Sequence, residues 1–408
     1  MEVMNPRGVR LGRILGIDIS ADLGVLLIGG FLAWNFSSFL LPTAVPGHVS
    51  LTYWSVGIVG AILFLASLLG HEMSHSVVAR RNGLEVEGIT LWLFGGVATL
   101  KGDPEGPGAE FRIAAAGPAS SVVIGALFWG ASWGLAALGG PDVWVVMLAW
   151  LGVINVFLAV FNLLPGAPLD GGRILGSVLW KLRGDRVTGR LGAAQVGKFI
   201  ALLLILAGFA EMWLTESLGG IWTAMIGWFL YNAARAEANF YGAERAVAGL
   251  TVAGAMLAPV QVASTWTSVA KVVEGPLAHT SQTAVPVVDV SGQVRGLVLL
   301  EQVKRIPAER WDATQAADVM VPIDQVTLLD PAEAMTDVVE QVGWWGYGLV
   351  LDGRDLVGMV GPAEVRRAVE LGGVRRRMGG PGWAAGPPPP PSGVPSQQWH
   401  PPTPPHPH

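Results

Sequence analysis

A chain of 408 residues that is 51% hydrophobic and only 14% charged falls outside the range of an ordinary soluble domain, where about 25% of residues are charged. Its net charge of -5 gives no basis for nucleic-acid binding, so none is expected. With no cysteine, disulfides and thiolate zinc sites are excluded, and any metal must be held by His, Asp or Glu.

The shortage of charge is concentrated in residues 1–240, whereas the sequence beyond 250 has ordinary charge density. This predicts a membrane domain over 1–240 followed by a soluble domain over 241–370. Arg7, Arg10 and Arg13 precede the first apolar run. No small-residue cleavage pattern follows it, so a cleavable signal peptide is not expected. Stretches long and apolar enough to cross a bilayer lie at 20–42, 52–78, 110–138, 144–164, 196–214 and 218–234. Lys and Arg fill every second connection. They are absent from 43–51, 139–143 and 215–217, and present in 79–112 (Arg80, Arg81, Lys101, Arg112), in 165–198 (Arg173, Lys181, Arg183, Arg186, Arg190, Lys198) and after the last span (Arg235, Arg245). The positive-inside rule then predicts a multi-pass protein of the cell membrane, with six spans and both termini cytoplasmic.

The second span ends in "LLGHEMSHSVVA", residues 68–79. Ionisable groups at membrane depth are costly and usually functional. His71 and His75 stand four apart, which on a helix places both imidazoles on one face, able to hold one metal ion. Glu72 can then act as general base on a water beside that metal. Catalytic zinc takes three protein ligands and keeps one position open. The candidate for the third is Asp170, in "FNLLPGAPLDGGRIL" at 161–175, where Pro165 and Pro168 stop the helix; the alternative for Asp170 is a helix-capping role in a plain turn. Asn162 could donate to a tetrahedral oxyanion or simply hydrogen-bond at a helix terminus. Between spans two and three, "EVEGITLWLFGGVATL" (85–100) reads as a β-hairpin. Its exposed edge could hold a substrate extended by strand addition. Gly117-Pro118 in "AAAGPASSV" reads first as a close-packing element between helices.

HExxH in the second span, together with "NLLPGAPLDGG", resembles the site-2 protease family of intramembrane zinc metalloproteases, over about residues 10–235. The family element Asn-x-x-Pro-x-x-x-x-Asp-Gly is matched by Asn162, Pro165, Asp170 and Gly171. Gly117-Pro118 is also similar to the family's third-span signature. The resemblance implies one catalytic Zn²⁺ on His71, His75 and Asp170, with Glu72 as the catalytic base. It further implies regulated intramembrane proteolysis, in which transmembrane segments of substrate proteins, such as anti-sigma or pro-sigma factors, are cut. No insertion of PDZ-like character separates the spans.

Beyond residue 250 the chain repeats itself. "VPVVDVSGQVRGLVLLEQV" (285–303) aligns with "YGLVLDGRDLVGMVGPAEV" (347–365), each read as strand, Gly turn, strand and helix start. "TSVAKVVEG" and "EAMTDVVEQVG" supply an amphipathic helix ahead of each copy. This resembles a tandem pair of CBS domains, which implies a regulatory α/β module, an adenine nucleotide in the cleft and a homodimer formed through the pair. The ribose element Gly-x-x-Thr/Ser-x-x-Asp is degenerate here, reading Gly296, Leu299, Gln302 in one copy and Gly358, Gly361, Glu364 in the other. Residues 371–408 are Pro- and Gly-rich and are expected to be a disordered tail; its histidines are given no catalytic role. The fold class expected is thus a polytopic α-helical membrane protein with a small β-hairpin or sheet, plus a C-terminal tandem CBS domain. A CBS-regulated ion or metal transporter is the rival function, and Glu72 discriminates: a transporter needs no base beside its first ligand.

Overall fold

A computed structural model describes residues 9–92, 95–216, 218–280, 282–342 and 346–377. Of the tail expected over 371–408, residues 371–377 instead close a helix, Pro362–Arg377, and those from 378 on lie outside the described residues. By contact density the chain divides at Gly242 into two units.

Five helices of the first unit are long and apolar enough to cross a membrane. They are α1 (Leu23–Ala44), α2 (Ser50–Arg81), α3 (Pro107–Ala137), α4 (Asp142–Asn162) and, after the short α5 (Asp170–Arg183), α6 (Arg186–Thr215). Six spans were expected. The sixth, 218–234, forms the first part of a long helix, α7 (Gly219–Val247), that does not meet the same standard among the described residues. Its apolar stretch is diluted by Tyr231 and Asn232 and ends at Arg235. Helix α5, read from sequence as part of a cytoplasmic connection, is amphipathic and stops at Gly184 in the left-handed region. Asp185 then caps α6, accepting from the Val187 and Thr188 amides.

Helices α1, α2 and α4 close around Phe36, Tyr53, Val56, Met147 and Leu151. Small residues permit the approach, as expected where lipid supplies no hydrophobic drive between helices. A Cβ on Gly60 of α2 would fall 2.4 Å from Met147 Sδ on α4.

The expected hairpin is present, formed by β3 (Glu85–Trp92) and β4 (Gly95–Lys101), which pair antiparallel. It belongs to a larger sheet, because β1 (Val9–Ile14) and β2 (Ile17–Ala21) precede it and the strand order is β1-β2-β3-β4. β2 lies parallel to β3. β1 and β2 turn through Leu15 and Gly16, both at positive φ, as a two-residue hairpin turn requires. The sheet leaves β4 as an edge strand.

In the second unit, β5 (Ala263–Ser264), β6 (Ala284–Val288) and β7 (Val294–Leu299) are matched by β9 (Thr327–Leu329), β10 (Gly348–Asp352) and β11 (Asp355–Val360). In each copy the first strand is parallel to the second and the second antiparallel to the third. A short strand, β8 (Val321–Pro322), adds to β7. Helical segments starting at Val269 and Met335 connect the first two strands of each copy, so the duplication legible in sequence is a duplication of topology. Ala284 and Leu297 from one copy share a buried cluster with Leu349 and Met359 from the other.

Candidate metal centre

One face of α2 carries His71 and His75, both buried. The break after α4 returns the chain so that Asp170, the first residue of α5, reaches the same point. Gly171 makes that return feasible: a Cβ there would lie 2.3 Å from the Leu164 carbonyl oxygen. His71 Nε2 is 3.2 Å from Asp170 Oδ2, His75 Nε2 is 3.2 Å from the same oxygen, and the two Nε2 atoms are 3.2 Å apart. Three ligand atoms thus stand at the corners of an equilateral triangle.

The other ring nitrogens fix what those atoms offer. His75 Nδ1 donates to the Ile113 carbonyl at 2.7 Å, and His71 Nδ1 lies 2.8 Å from Ser121 Oγ. A carbonyl can only accept, so Nδ1 of His75 carries the proton and Nε2 presents a lone pair to the centre. With Ser121 accepting from His71, two lone pairs and a carboxylate converge, an arrangement suited to a cation held among them. The edges agree with the about 3.3 Å between ligands of a tetrahedral ion whose bonds are about 2.0 Å, as for zinc.

Helix α3 closes the site with a residue that has no side chain. A Cβ on Gly117 would fall 2.1 Å from His75 Nε2 and 2.5 Å from His71 Nε2, inside the space the donors share. The sequence reading placed packing first for Gly117-Pro118, and the structure puts Gly117 at the wall of the centre. Ser121 and Ile113, on the same helix, were also missed. A serine in an apolar helix carries a weak signal, and a backbone carbonyl carries none. Ser121→Ala should weaken zinc binding by about 10- to 100-fold, the range for losing a partner that orients a ligand; chelator competition measures it.

Glu72 follows the first histidine and packs against β4. A Cβ on Gly96 would sit 2.3 Å from Glu72 Cγ, so only glycine lets this edge strand approach the carboxylate. Asn162 is the last residue of α4, and its Nδ2 donates to the Leu158 carbonyl at 3.1 Å on its own helix. Among the described residues, His71, His75 and Asp170 form the one group of three such side chains able to hold a metal.

Comparison with known proteins places these residues in context. The pattern of peptidase family M50 matches residues 59–138 and 141–206. A Mycobacterium tuberculosis chain carrying the name zinc metalloprotease Rip3 is 39% identical over 366 residues, which are 89% of this chain and 93% of its own. The solved site-2 protease of Methanocaldococcus jannaschii is 30% identical and covers 57% of this chain and 95% of its own, with a TM-score of 0.39. For the second unit, the CBS domain of a membrane protein from Sphaerobacter thermophilus is 17% identical and covers 33% of this chain, with a TM-score of 0.27.

Proposed function

The chain belongs to peptidase family M50, the zinc metalloproteases of site-2 protease type, and on that premise we propose that it cuts peptide bonds in or near transmembrane segments of other proteins, with its second unit modulating the reaction. One observation carries the site assignment: three ligand atoms, from His71, His75 and Asp170, at mutual distances of 3.2 Å. These residues would hold zinc, which when bound supplies Lewis acidity toward the scissile carbonyl and lowers the pKa of water.

The protein's own groups do the rest. Glu72, one residue after the first ligand, takes the proton of the attacking water and passes it to the leaving amine nitrogen. The free edge of β4, held against Glu72 through Gly96, pairs with an extended stretch of substrate and presents its carbonyl to the centre. Asn162 would turn its amide from Leu158 to the developing oxyanion. Opening of the helices to admit substrate is the step expected to limit turnover.

For the second unit, regulation is the reading favoured by its duplicated topology. An adenine nucleotide entering by its ribose would have to displace two local caps. Gln302 Oε1 accepts from the Leu299 amide at 3.4 Å, and Glu364 Oε2 accepts from the Gly361 amide at 3.0 Å. Pairing of two copies through this unit belongs to the same proposal, as does a cytoplasmic placement of both termini.

The test is direct. The chain reconstituted in lipid vesicles with a single-span substrate should hold one zinc and release two fragments. A zinc-loaded chain that leaves every such substrate intact would end the reading.

A further inference from the structure

Three of the arginines that mark the connection 165–198 come together at one cavity. Arg173, Arg186 and Arg190 line a cavity of about 240 Å³ together with Glu110, Ile113 and Tyr241. Arg190 on α6 is the centre of the group. Its side chain is 5% exposed and forms an ion pair with Glu110 on α3, which is 3% exposed. A second arm reaches Glu237 on α7, Nη1 to Oε1 at 3.6 Å, and the guanidinium lies 5.6 Å from the centroid of the Tyr241 ring. A planar fork meets two carboxylates along fixed directions, whereas an ammonium is a compact charge on a flexible stem that fixes no such geometry.

Burying such a pair forfeits hydration that apolar side chains of similar volume would not forfeit, so a buried pair is poor evidence of stabilisation. Its place on α3 suggests another use. Glu110, Ile113, Gly117 and Ser121 fall at i, i+3, i+7 and i+11, one stripe of the helix. The last three of these support the metal centre. Ile113 accepts from His75, Gly117 leaves room for the donors, and Ser121 meets His71. Glu110 is the first member of the stripe, and Arg190 holds it. A rotation or axial slip of α3 would disturb all three supports together.

Resting on the metal assignment above, we propose that Arg190 is a positioning residue: through Glu110 it sets the register of α3 and hence the geometry of His71 and His75. The experiment uses the full chain in lipid nanodiscs and measures zinc affinity by chelator competition, melting temperature, and kcat and KM on a single-span substrate. E110L/R190M removes the buried pair together and costs Glu237, 22% exposed, only its longer 3.6 Å contact, and R190K keeps the charge but loses the fork. The double variant should melt close to wild type, yet both variants should bind zinc about tenfold more weakly, the scale of a lost outer support, with kcat lowered and KM little changed. Variants that match a zinc-loaded wild type in affinity would overturn the positioning role and leave the metal site standing; a wild type that binds no zinc would remove the premise itself. Should the double variant fail to fold, R190K decides the question.

Discussion

Replacing Glu72 by Gln should leave zinc in place and slow cleavage about 1,000-fold, in the middle of the range for a lost general base. That corresponds to about 4 kcal/mol of transition-state stabilisation. Glutamine has nearly the shape of glutamate and fills the same space beside Gly96, so the packing of β4 against α2 should persist. What it cannot do is take a proton. The ligand set of His71, His75 and Asp170 is untouched, so metal content should stay at one per chain. Elemental analysis and a fragment assay on one reconstituted sample check both halves. Turnover unchanged from wild type would refute the assignment of Glu72 as base and favour a transport role for the same ligands.

Gly117→Ala should have the opposite signature, with zinc itself lost. The added methyl would meet two Nε2 atoms at 2.1 and 2.5 Å, far inside contact distance. The imidazoles cannot back away cheaply, since their Nδ1 atoms are tied to Ile113 and Ser121. A shift of α3 would carry those same ties with it. The loss of zinc affinity should exceed about 100-fold, beyond the range for an outer-sphere partner, and cleavage should fall with it. Because the change adds one carbon in a helix and alanine favours helix over glycine, the apo fold should survive. A variant with wild-type zinc content would mean that the centre does not use the space Gly117 leaves open.

The metal donors were legible because their spacing states their geometry. Two histidines four apart on a helix must share a face, and an Asp in a Pro- and Gly-rich break is free of the helix before it. The hairpin at 85–101 was legible from its β-branched residues and paired glycines. β1 and β2 were not foreseen, because the arginines that alternate with Val9, Leu11 and Ile14 read as a charged flank; the Leu15-Gly16 turn was the available clue. α5 was missed because a 14-residue amphipathic helix leaves no mark on a search for apolar runs. Arg190 was counted only as a positive charge near a membrane face. No local pattern says that an arginine 80 positions from Glu110 will be buried with it, since such a pair is defined only once α3 and α6 are packed.

If the edge of β4 beside Glu72 pairs with substrate as proposed, it also bears on which proteins can be degraded. Main-chain pairing reads little of the side-chain alphabet, so discrimination would fall on a segment's readiness to uncoil. Membrane segments containing glycine or proline, which give up helix most cheaply, should be consumed first, and a uniformly leucine-rich segment should resist even when tethered alongside.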